Sequence, residues 1–409
     1  METGWLDRRS LLLLLLAGAA QRCPSSASQD RRRRAWTSAV NAQVFPKSPH
    51  IKSIRILQES GARPRFSPDG KLVVFDRYGR DGFADVFICD LHGEIVASLT
   101  DGHDGINQRH NGNARFDPSG RFVVFVSETS RHFGRLLKRL GDPGVGLYSN
   151  FYATDLKGRH FWQLTDIPIK RRLADRVPSF ATVNPVFGLD GRTFVWTERY
   201  AEGGHHNWGK WRLKTAELIV EGGRPRLRDE RVLFTPVKGN YVTAMGFIDS
   251  HRLLVGGNLD GQHEYGMDQY VLQPASGRFV NLTNSPGSWD EDGSVAPNGR
   301  IVYMSNRDSR YRFDRTRGDW FTQPVQREYY LTDASGTRVD RLTRFNDPDA
   351  VEYLGNRVLV AASDFSPDGR YLAGTMGVDQ GRGAKREDVR LQTILIELAK
   401  PFSARTAAR

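Results

Sequence analysis

A turn of the type Phe-Ser-Pro-Asp-Gly recurs along this chain and constrains its fold more than any other feature. The first copy occupies residues 66–70 and is followed by a β-branched run at 72–75, a strand-like run at 85–91 and a fourth run that ends at Leu99 and Thr100. Proline presets φ at one corner of such a turn, the aspartate side chain caps it, and glycine accepts a positive φ. Each copy therefore predicts a unit of four short antiparallel strands.

Five further copies follow the first, and one of them is degenerate. The last positions of the six turns are Gly70, Gly120, Gly191, His251, Gly299 and Gly369. A single four-stranded sheet cannot bury both of its faces, and sheets that recur every 40 to 50 residues or so stack radially as propeller blades. We therefore predict an all-β, six-bladed β-propeller of four-stranded antiparallel blades, with loop insertions where the intervals are longer.

The last copy lacks a fourth strand of its own. Its third strand is predicted at residues 392–398, after which the chain continues with Ala-Lys-Pro. A strand-like run at residues 51–57 stands before the first copy. Pairing between these two segments would remove an open sheet edge, and we predict that the N-terminal strand closes the last blade.

The repeat resembles that of the TolB-like, WD40-like (PD40) β-propeller family over roughly residues 51 to 398. The mark of that family is a W/F-S-P-D-G-K-x-I/V-x-F turn, followed by an I/V-Y-x-x-D-x-x-G strand and an L-T-x ending. Here the runs that carry it begin at Phe66 and Val86 and end at Leu99 and Thr100. The resemblance implies the propeller fold. It implies no single activity, because the repeat occurs in translocation proteins, in peptidase propeller domains and in other exported proteins.

The N-terminus has the pattern of a secretory signal. Arg8 and Arg9 precede an apolar run at residues 11–20 that is too short to span a bilayer. We predict export by the Sec or the twin-arginine route, a periplasmic or secreted location, and no transmembrane segment after signal cleavage. The predicted segments are a signal peptide at 1–27, an Arg-rich flexible spacer at 28–50, the propeller at 51–400 and a disordered tail at 401–409.

The net charge indicates which kind of partner to expect, and the positions of the two cysteines indicate the state of Cys89. The formal charge is +12, which is common in nucleic-acid-binding proteins. The arginines are scattered over the blades without a basic stripe, and export removes the protein from nucleic acid. We expect a protein or an anionic envelope component as partner, no nucleic acid, and a monomer. Cys23 lies in the leader and Cys89 in a strand, so Cys89 is predicted to be a small buried hydrophobe.

The two faces of the predicted ring differ. Turns between first and second strands, and between third and fourth strands, are tight, whereas all length variation falls on the opposite face, which we call the long-loop face. Long loops on a rigid scaffold usually carry binding, and we place any ligand there. Its segments are 102–113, 128–149, 166–183, 199–209, 285–292, 306–326, 345–356 and 377–389.

Candidate binding residues are the polar and aromatic side chains of these loops. They are His103, Asp104, Arg109, His110, His205, His206, Trp208, His263, Glu264, Trp289, Asp290, Glu291, Tyr311 and Trp320. Histidines from different blades could supply nitrogen donors to one metal ion, with His103, His110, His205, His206 and His263 as weak candidates. No HExxH or Cys-x-x-Cys spacing supports such a site, so no cofactor is predicted and a divalent metal in the channel stays the alternative.

Two functions follow from these patterns. The first is an exported, non-catalytic TolB-like propeller that binds a protein or cell-envelope component through its long-loop face. The alternative is a propeller lyase or hydrolase that acts on anionic polysaccharide through a His/carboxylate site at the channel mouth, since acids beside Trp289 suit glycan cleavage. Oligogalacturonate lyases use similar repeats, with seven blades and a histidine-bound metal. No Gly-x-Ser-x-Gly or P-loop motif is present, and no catalytic residue is assigned.

Overall fold

The computed structural model describes residues 39–128, 143, 148–167, 180–181, 184–201, 209–263, 266–312, 325–380 and 389–404. Over these residues the chain forms six antiparallel sheets that make the blades of a propeller. The prediction of an all-β, six-bladed propeller built on four-stranded antiparallel sheets is confirmed. Helical structure is limited here to a short 3-10 turn at Val237–Gly239, far below the length and apolarity that crossing a membrane would require.

Blades one to five run from the innermost to the outermost strand in chain order. Blade one contains β3 (Ala62–Phe66), β4 (Leu72–Tyr78), β5 (Ala84–Asp90) and β6 (Ile95–Ser98). Blade two contains β7 (Asn111–Phe116), β8 (Phe122–Glu128), β9 (Ser149–Asp155) and β10 (Phe161–Gln163). Blade three contains β11 (Phe180–Ala181), β12 (Val186–Phe187), β13 (Thr193–Ala201), β14 (Lys210–Glu221) and β15 (Arg224–Phe234).

The second half of the ring repeats this order. Blade four contains β16 (Val242–Phe247), β17 (Leu253–Gly257), β18 (Asp268–Gln273) and β19 (Arg278–Asn281). Blade five contains β20 (Asp290–Val295), β21 (Ile301–Ser305), β22 (Glu328–Thr332) and β23 (Val339–Arg341). Blade six contains β24 (Val358–Phe365), β25 (Tyr371–Asp379) and β26 (Val389–Leu398), together with β1 (Gln43–Val44) and β2 (Ile51–Gln58).

Blade six combines strands from both ends of the described chain. β2 pairs antiparallel with β26 and places Ile54 opposite Ile396. β1, which falls within the predicted spacer, pairs with β2 in turn. Beyond β26, Phe402 is only 7% exposed and its ring centroid lies 5.9 Å from that of Phe365, so the first residues of the predicted tail are packed on the propeller.

The recurring turn is held by its own side chains. In the first copy, the Ser67 hydroxyl donates to Asp69 Oδ1 at 2.6 Å and accepts from the Leu72 amide at 3.0 Å. The last copy repeats the contact between Ser366 and Asp368 at 2.6 Å. Successive turns also touch around the ring, since a Cβ atom on Gly70 would lie 3.3 Å from Pro367 Cδ. The tight-turn face is therefore a continuous belt in this part of the ring.

The threonine of the Leu-Thr pair that ends the repeat holds two strands of the blade together. Thr100 Oγ1 accepts from the Val86 amide at 2.9 Å and donates to Asp85 Oδ1 at 2.7 Å. These two bonds fasten the end of the fourth strand to the start of the third, and we call the arrangement the threonine clasp. The same clasp joins Thr165 to Asn150, Thr283 to Asp268 and Thr343 to Glu328.

Apolar side chains fill the space between blades. Full burial of one aromatic side chain stabilises the fold by about 1.5–3 kcal/mol relative to leaving that side chain exposed. Cys89 is buried and free, and burial raises the pKa of its thiol to about 12, which makes it unreactive. The largest buried side chains are Trp196, Tyr270, Tyr303, Tyr329, Tyr330, Phe75, Phe125, Phe151, Phe194 and Phe345.

Candidate functional site

Four of the candidate residues that the structure describes, Trp289, Asp290, Glu291 and Tyr311, lie in blade five. In an up-and-down blade, the first and third strands begin, and the second and fourth strands end, on the same face. β20 therefore begins beside the end of β21 at Ser305, the start of β22 at Glu328 and the end of β23 at Arg341. This topology brings Trp289 and Asp290 next to Asn306 and Arg307, which follow β21.

Asp290 lies at the base of this region and is completely buried. Burial raises the pKa of its carboxyl to about 6, and the charge of Arg307 opposes that shift. The Arg307 guanidinium donates to Asp290 Oδ2 at 2.9 Å and lies 5.4 and 5.0 Å from the ring centroids of Tyr303 and Tyr330. Asp290 thus holds the loop to the blade and is not open to a ligand.

Trp289 is also withdrawn from solvent. Its indole N–H donates to Glu291 Oε2 at 2.8 Å, and its backbone amide donates to Asn306 Oδ1 at 2.7 Å. The Arg327 guanidinium lies 4.0 Å from the centre of the ring, which is a cation–π contact. The ring is 6% exposed, so it supports Glu291 and offers no open platform for a sugar.

Glu291 and Asp292 are adjacent residues near the start of β20, and the charges of their carboxyl groups interact. Burial, reinforced by the charge of Asp292, raises the pKa of Glu291 to about 8. Burial also raises the pKa of Asp292, whereas Arg65, Arg327 and Arg63 act against that rise. Asp292 has a left-handed backbone conformation with φ of 52°, at a bulge where β20 and β21 change register.

A polar pocket opens on the long-loop face of blade five. Its floor is a hydrogen-bonded network in which Arg341 lies 3.2 Å from Glu328 Oε1 and the Tyr330 hydroxyl donates to Asp308 at 2.7 Å. The floor charges are therefore paired with one another, and the exposed side chains stand at the rim. The pocket is lined by Ser305, Asp308, Ser309, Arg310, Gln326, Glu328, Tyr330, Arg341, Asn346 and Asp347.

Arg109 and His110 come together around Phe83 at the entry to blade two. Arg109 lies 3.0 Å from Glu128 Oε1 and 5.2 Å from the Phe83 ring centre. His110 is 3% exposed, accepts from the Ala84 amide through Nδ1 at 3.2 Å, and contacts Phe83 edge-on. Both side chains therefore support the loop.

The other candidates do not join one site. His103 donates from Nε2 to the Ser98 carbonyl at 2.9 Å, and Asp104 is exposed on the same loop. His263 is partly buried, and Tyr311 is 39% exposed at the edge of the blade-five pocket. Among the residues of the ranges given above, no group of three His, Cys, Asp or Glu side chains is placed to hold a metal ion. His205, His206, Trp208, Glu264 and Trp320 lie outside the described residues.

Several residues of the site were not singled out from the sequence. Asp308, Glu328 and Arg341 build the floor of the pocket, and Arg327 covers Trp289. Glu328 could have been found by aligning the copies, because it takes the clasp position that Asp85 takes in blade one. Arg327 and Arg341 have no such signal, since their partners come from other strands.

Comparison with known proteins identifies fold-level likenesses only. No family model matches the chain, and no curated protein matches it. A protein assigned as TolB from Agrobacterium tumefaciens is 15% identical, with 84% of this chain and 91% of that chain covered and a TM-score of 0.44. TolB from Acinetobacter baumannii is 12% identical, with 84% and 65% covered and a TM-score of 0.42. Acylaminoacyl peptidase from Pyrococcus horikoshii is 13% identical, with 80% and 45% covered and a TM-score of 0.40.

Proposed function

We propose that this protein is an exported, non-catalytic TolB-like propeller that binds a protein or cell-envelope component through its long-loop face. The observation that carries the proposal is the polar pocket of blade five. Its rim presents the exposed side chain of Arg310 beside the exposed Tyr311, and arginine and tyrosine are residue types that concentrate at binding hot spots. Its floor is rigid, because Arg341, Glu328 and Asp308 are already bonded to one another.

The chemistry of the pocket favours recognition over turnover. A general acid or base must be free to exchange a proton with a substrate. In the pocket, Glu328 accepts from Thr343, Asn346 and Arg341, so its lone pairs are used within the fold. A partner with polar or charged groups would form hydrogen bonds at the rim. The side chains of the floor would keep their positions, because they are already bonded to one another.

The cellular part of the proposal rests on the leader. Arg8 and Arg9 followed by a short leucine-rich run give the pattern of an export signal. In this proposal the protein works in the periplasm or outside the cell, and the net charge of +12 favours an anionic envelope partner.

Site-specific photo-crosslinking tests the binding face. A photoreactive residue would replace Arg310 on the long-loop face or, as the control, Lys71 on the tight-turn face, where the side chain is 81% exposed. Each full-length protein would be exposed to light in a bacterial envelope extract. A discrete adduct from position 310 that is absent from position 71 is the expected result. Equal labelling from both faces, or none from position 310, would refute the proposal.

One observation favours the enzyme alternative. Glu291, with its pKa raised to about 8, would be protonated near neutral pH, as a general acid must be. The test follows unsaturated product by absorbance when the protein meets a polyuronate, with Glu291→Gln as the comparison and elemental analysis before and after chelation. Product formation that Glu291→Gln abolishes would establish the polysaccharide enzyme in place of the binding protein.

A further inference from the structure

The central channel contains a group of charged side chains that the long-loop face does not explain. The first strands of the blades lie next to one another around the axis, β12 beside β16, then β20, β24, β3 and β7. Residues on these strands can therefore reach the channel. Near the tight-turn end, Arg65 and Arg115 precede Phe66 and Phe116 at equivalent positions of blades one and two.

The contact between Arg115 and Asp364 crosses the channel. Arg115 belongs to blade two and Asp364 to blade six, and blade one stands between these two blades. Even so, Arg115 lies 3.8 Å from Asp364 Oδ1. Side chains from blades that are not neighbours can meet in this way only across the axis. The two side chains are 21% and 20% exposed, so water and small solutes reach them.

The hydrogen-bonding capacity of Arg115 is underused. A separation of 3.8 Å is too long for a hydrogen bond, which needs about 2.7–3.2 Å. Its buried Nε has no hydrogen-bond partner among the described residues. The second carboxylate oxygen of Asp364 accepts from the Phe66 amide at 2.9 Å, so Asp364 is partly committed to blade one. Arginine stays charged even when buried, and burial lowers the pKa of Arg115 only to about 10.

A second cation stands beside the first. The charge of Arg65 repels that of Arg115, and Arg65 Nη1 donates to the Ser363 carbonyl at 2.5 Å. The carboxyl group of Asp292 also attracts Arg65. Arg65 and Arg115 are thus close enough to repel one another, and Asp364 lies 3.8 Å from Arg115. An additional anion would offset this repulsion.

We propose that the channel binds an oxyanion, a carboxylate or a phosphate, between Arg65 and Arg115 near the tight-turn face. A planar guanidinium offers two parallel N–H donors to such a group. The carboxylate of Asp364 competes with the ligand, because both interact with the guanidinium group of Arg115. This inference does not depend on the proposed function of the long-loop face.

Titration calorimetry of the full-length protein tests the site, with inorganic phosphate and acetate as probes and sodium chloride at matched ionic strength as the reference. Arg115→Gln should weaken binding of both probes about tenfold or more, as expected for the loss of a charge-assisted contact. Arg121→Gln is the matched control in the same blade, because Arg121 is exposed and should leave binding unchanged. Phosphate or acetate binding that Arg115→Gln does not weaken would overturn the proposal, as would no binding to the unmodified protein.

Asp364→Asn provides the decisive variant if Arg115→Gln fails to fold. The asparagine carbonyl can still accept from the Phe66 amide, while the competing charge disappears. The proposal expects tighter phosphate binding, by about tenfold, and a residue that merely supports the fold would give no gain. A tri-alanine peptide with a free C-terminus and the same peptide as its amide distinguish the two sources of oxyanion. Binding of the free-acid peptide but not of the amide identifies a chain terminus as the ligand. Binding of phosphate but of neither peptide identifies a small free anion. Unchanged or weaker phosphate binding by Asp364→Asn would refute the site.

Discussion

The backbone of Phe402 lies directly against Gly369. The Phe402 amide donates to the Gly369 carbonyl at 2.8 Å, and a Cβ atom on Gly369 would stand 2.5 Å from the carbonyl carbon of Phe402. Gly369 also has a φ of +69°, which glycine adopts without strain. The segment after β26 is therefore fastened to the last of the repeated turns, and glycine is required there for two separate reasons.

Replacement of Gly369 by alanine separates these two reasons when it is compared with Gly277→Ala. Gly277 has a φ of +68°, and nothing lies within 4 Å of the position its Cβ would take. Gly277→Ala should cost about 1 kcal/mol from backbone strain alone. Gly369→Ala should cost about 2–4 kcal/mol, because the Phe402 backbone must also move. Urea unfolding measures both, and equal losses would contradict the packing of Phe402 on the turn.

Removal of one threonine clasp should destabilise the protein through lost hydrogen bonds. In blade five, Thr343 Oγ1 accepts from the Tyr329 amide at 3.0 Å and donates to Glu328 at 2.6 Å. Thr343→Val keeps the shape but leaves a buried amide and carboxylate without this partner, at a cost of about 1–3 kcal/mol. Thr343→Ser retains the hydroxyl and should lose less than half as much. Thermal unfolding distinguishes them, and the clasp is not stabilising if valine and serine behave alike.

The repeated parts of the fold could be predicted because each depends on residues close in sequence. Ser67 and Asp69 form their turn from two residues apart. A Leu-Thr pair marks the end of the fourth strand in blades one, two, four and five. The channel site could not be predicted in this way. Arg115 and Asp364 meet across the axis only after the ring has formed, so no local spacing announces the contact. The contact between Arg327 and the Trp289 ring could not be predicted for the same reason, and it leaves no open face of this ring for a glycan.

A chain that begins at residue 60 should fail to form a stable monomer. It lacks β2, whose Ile51, Ile54 and Ile56 are at most 2% exposed, and it leaves β26 as a long unpaired edge that promotes aggregation. A chain that begins at residue 48 keeps β2 and is the control. Size-exclusion chromatography and circular dichroism should show a folded monomer for the control alone. A folded monomer from the shorter chain would show that blade six does not need its N-terminal strand.

Glu291→Gln should change the pH dependence of stability in a defined direction. The pKa of Glu291 is raised from 4.5 to about 8 in the folded protein, so the folded state binds its proton more tightly than the unfolded state. The stability that protonation provides is complete below about pH 4.5 and is lost as the pH rises through about 8. Glutamine cannot ionise and can still accept from the Trp289 indole. The variant should match the parent protein at pH 4.5 and exceed its stability above pH 8, by an amount on the order of 2 kcal/mol.

Asp69→Asn supplies the control of opposite sign. The Ser67 hydroxyl donates to Asp69 and lowers the pKa of its carboxyl below 3.8, so this ion contributes stability above that pH and loses it as the pH falls further. Asp69→Asn should therefore be slightly less stable than the parent protein at pH 7, and the difference should shrink in acid. Urea unfolding of the three proteins from about pH 2.5 to pH 9 gives both curves. A Glu291→Gln curve parallel to that of the parent would mean that the pKa of Glu291 is the same in the folded and the unfolded protein, so that Glu291 is ionised at neutral pH.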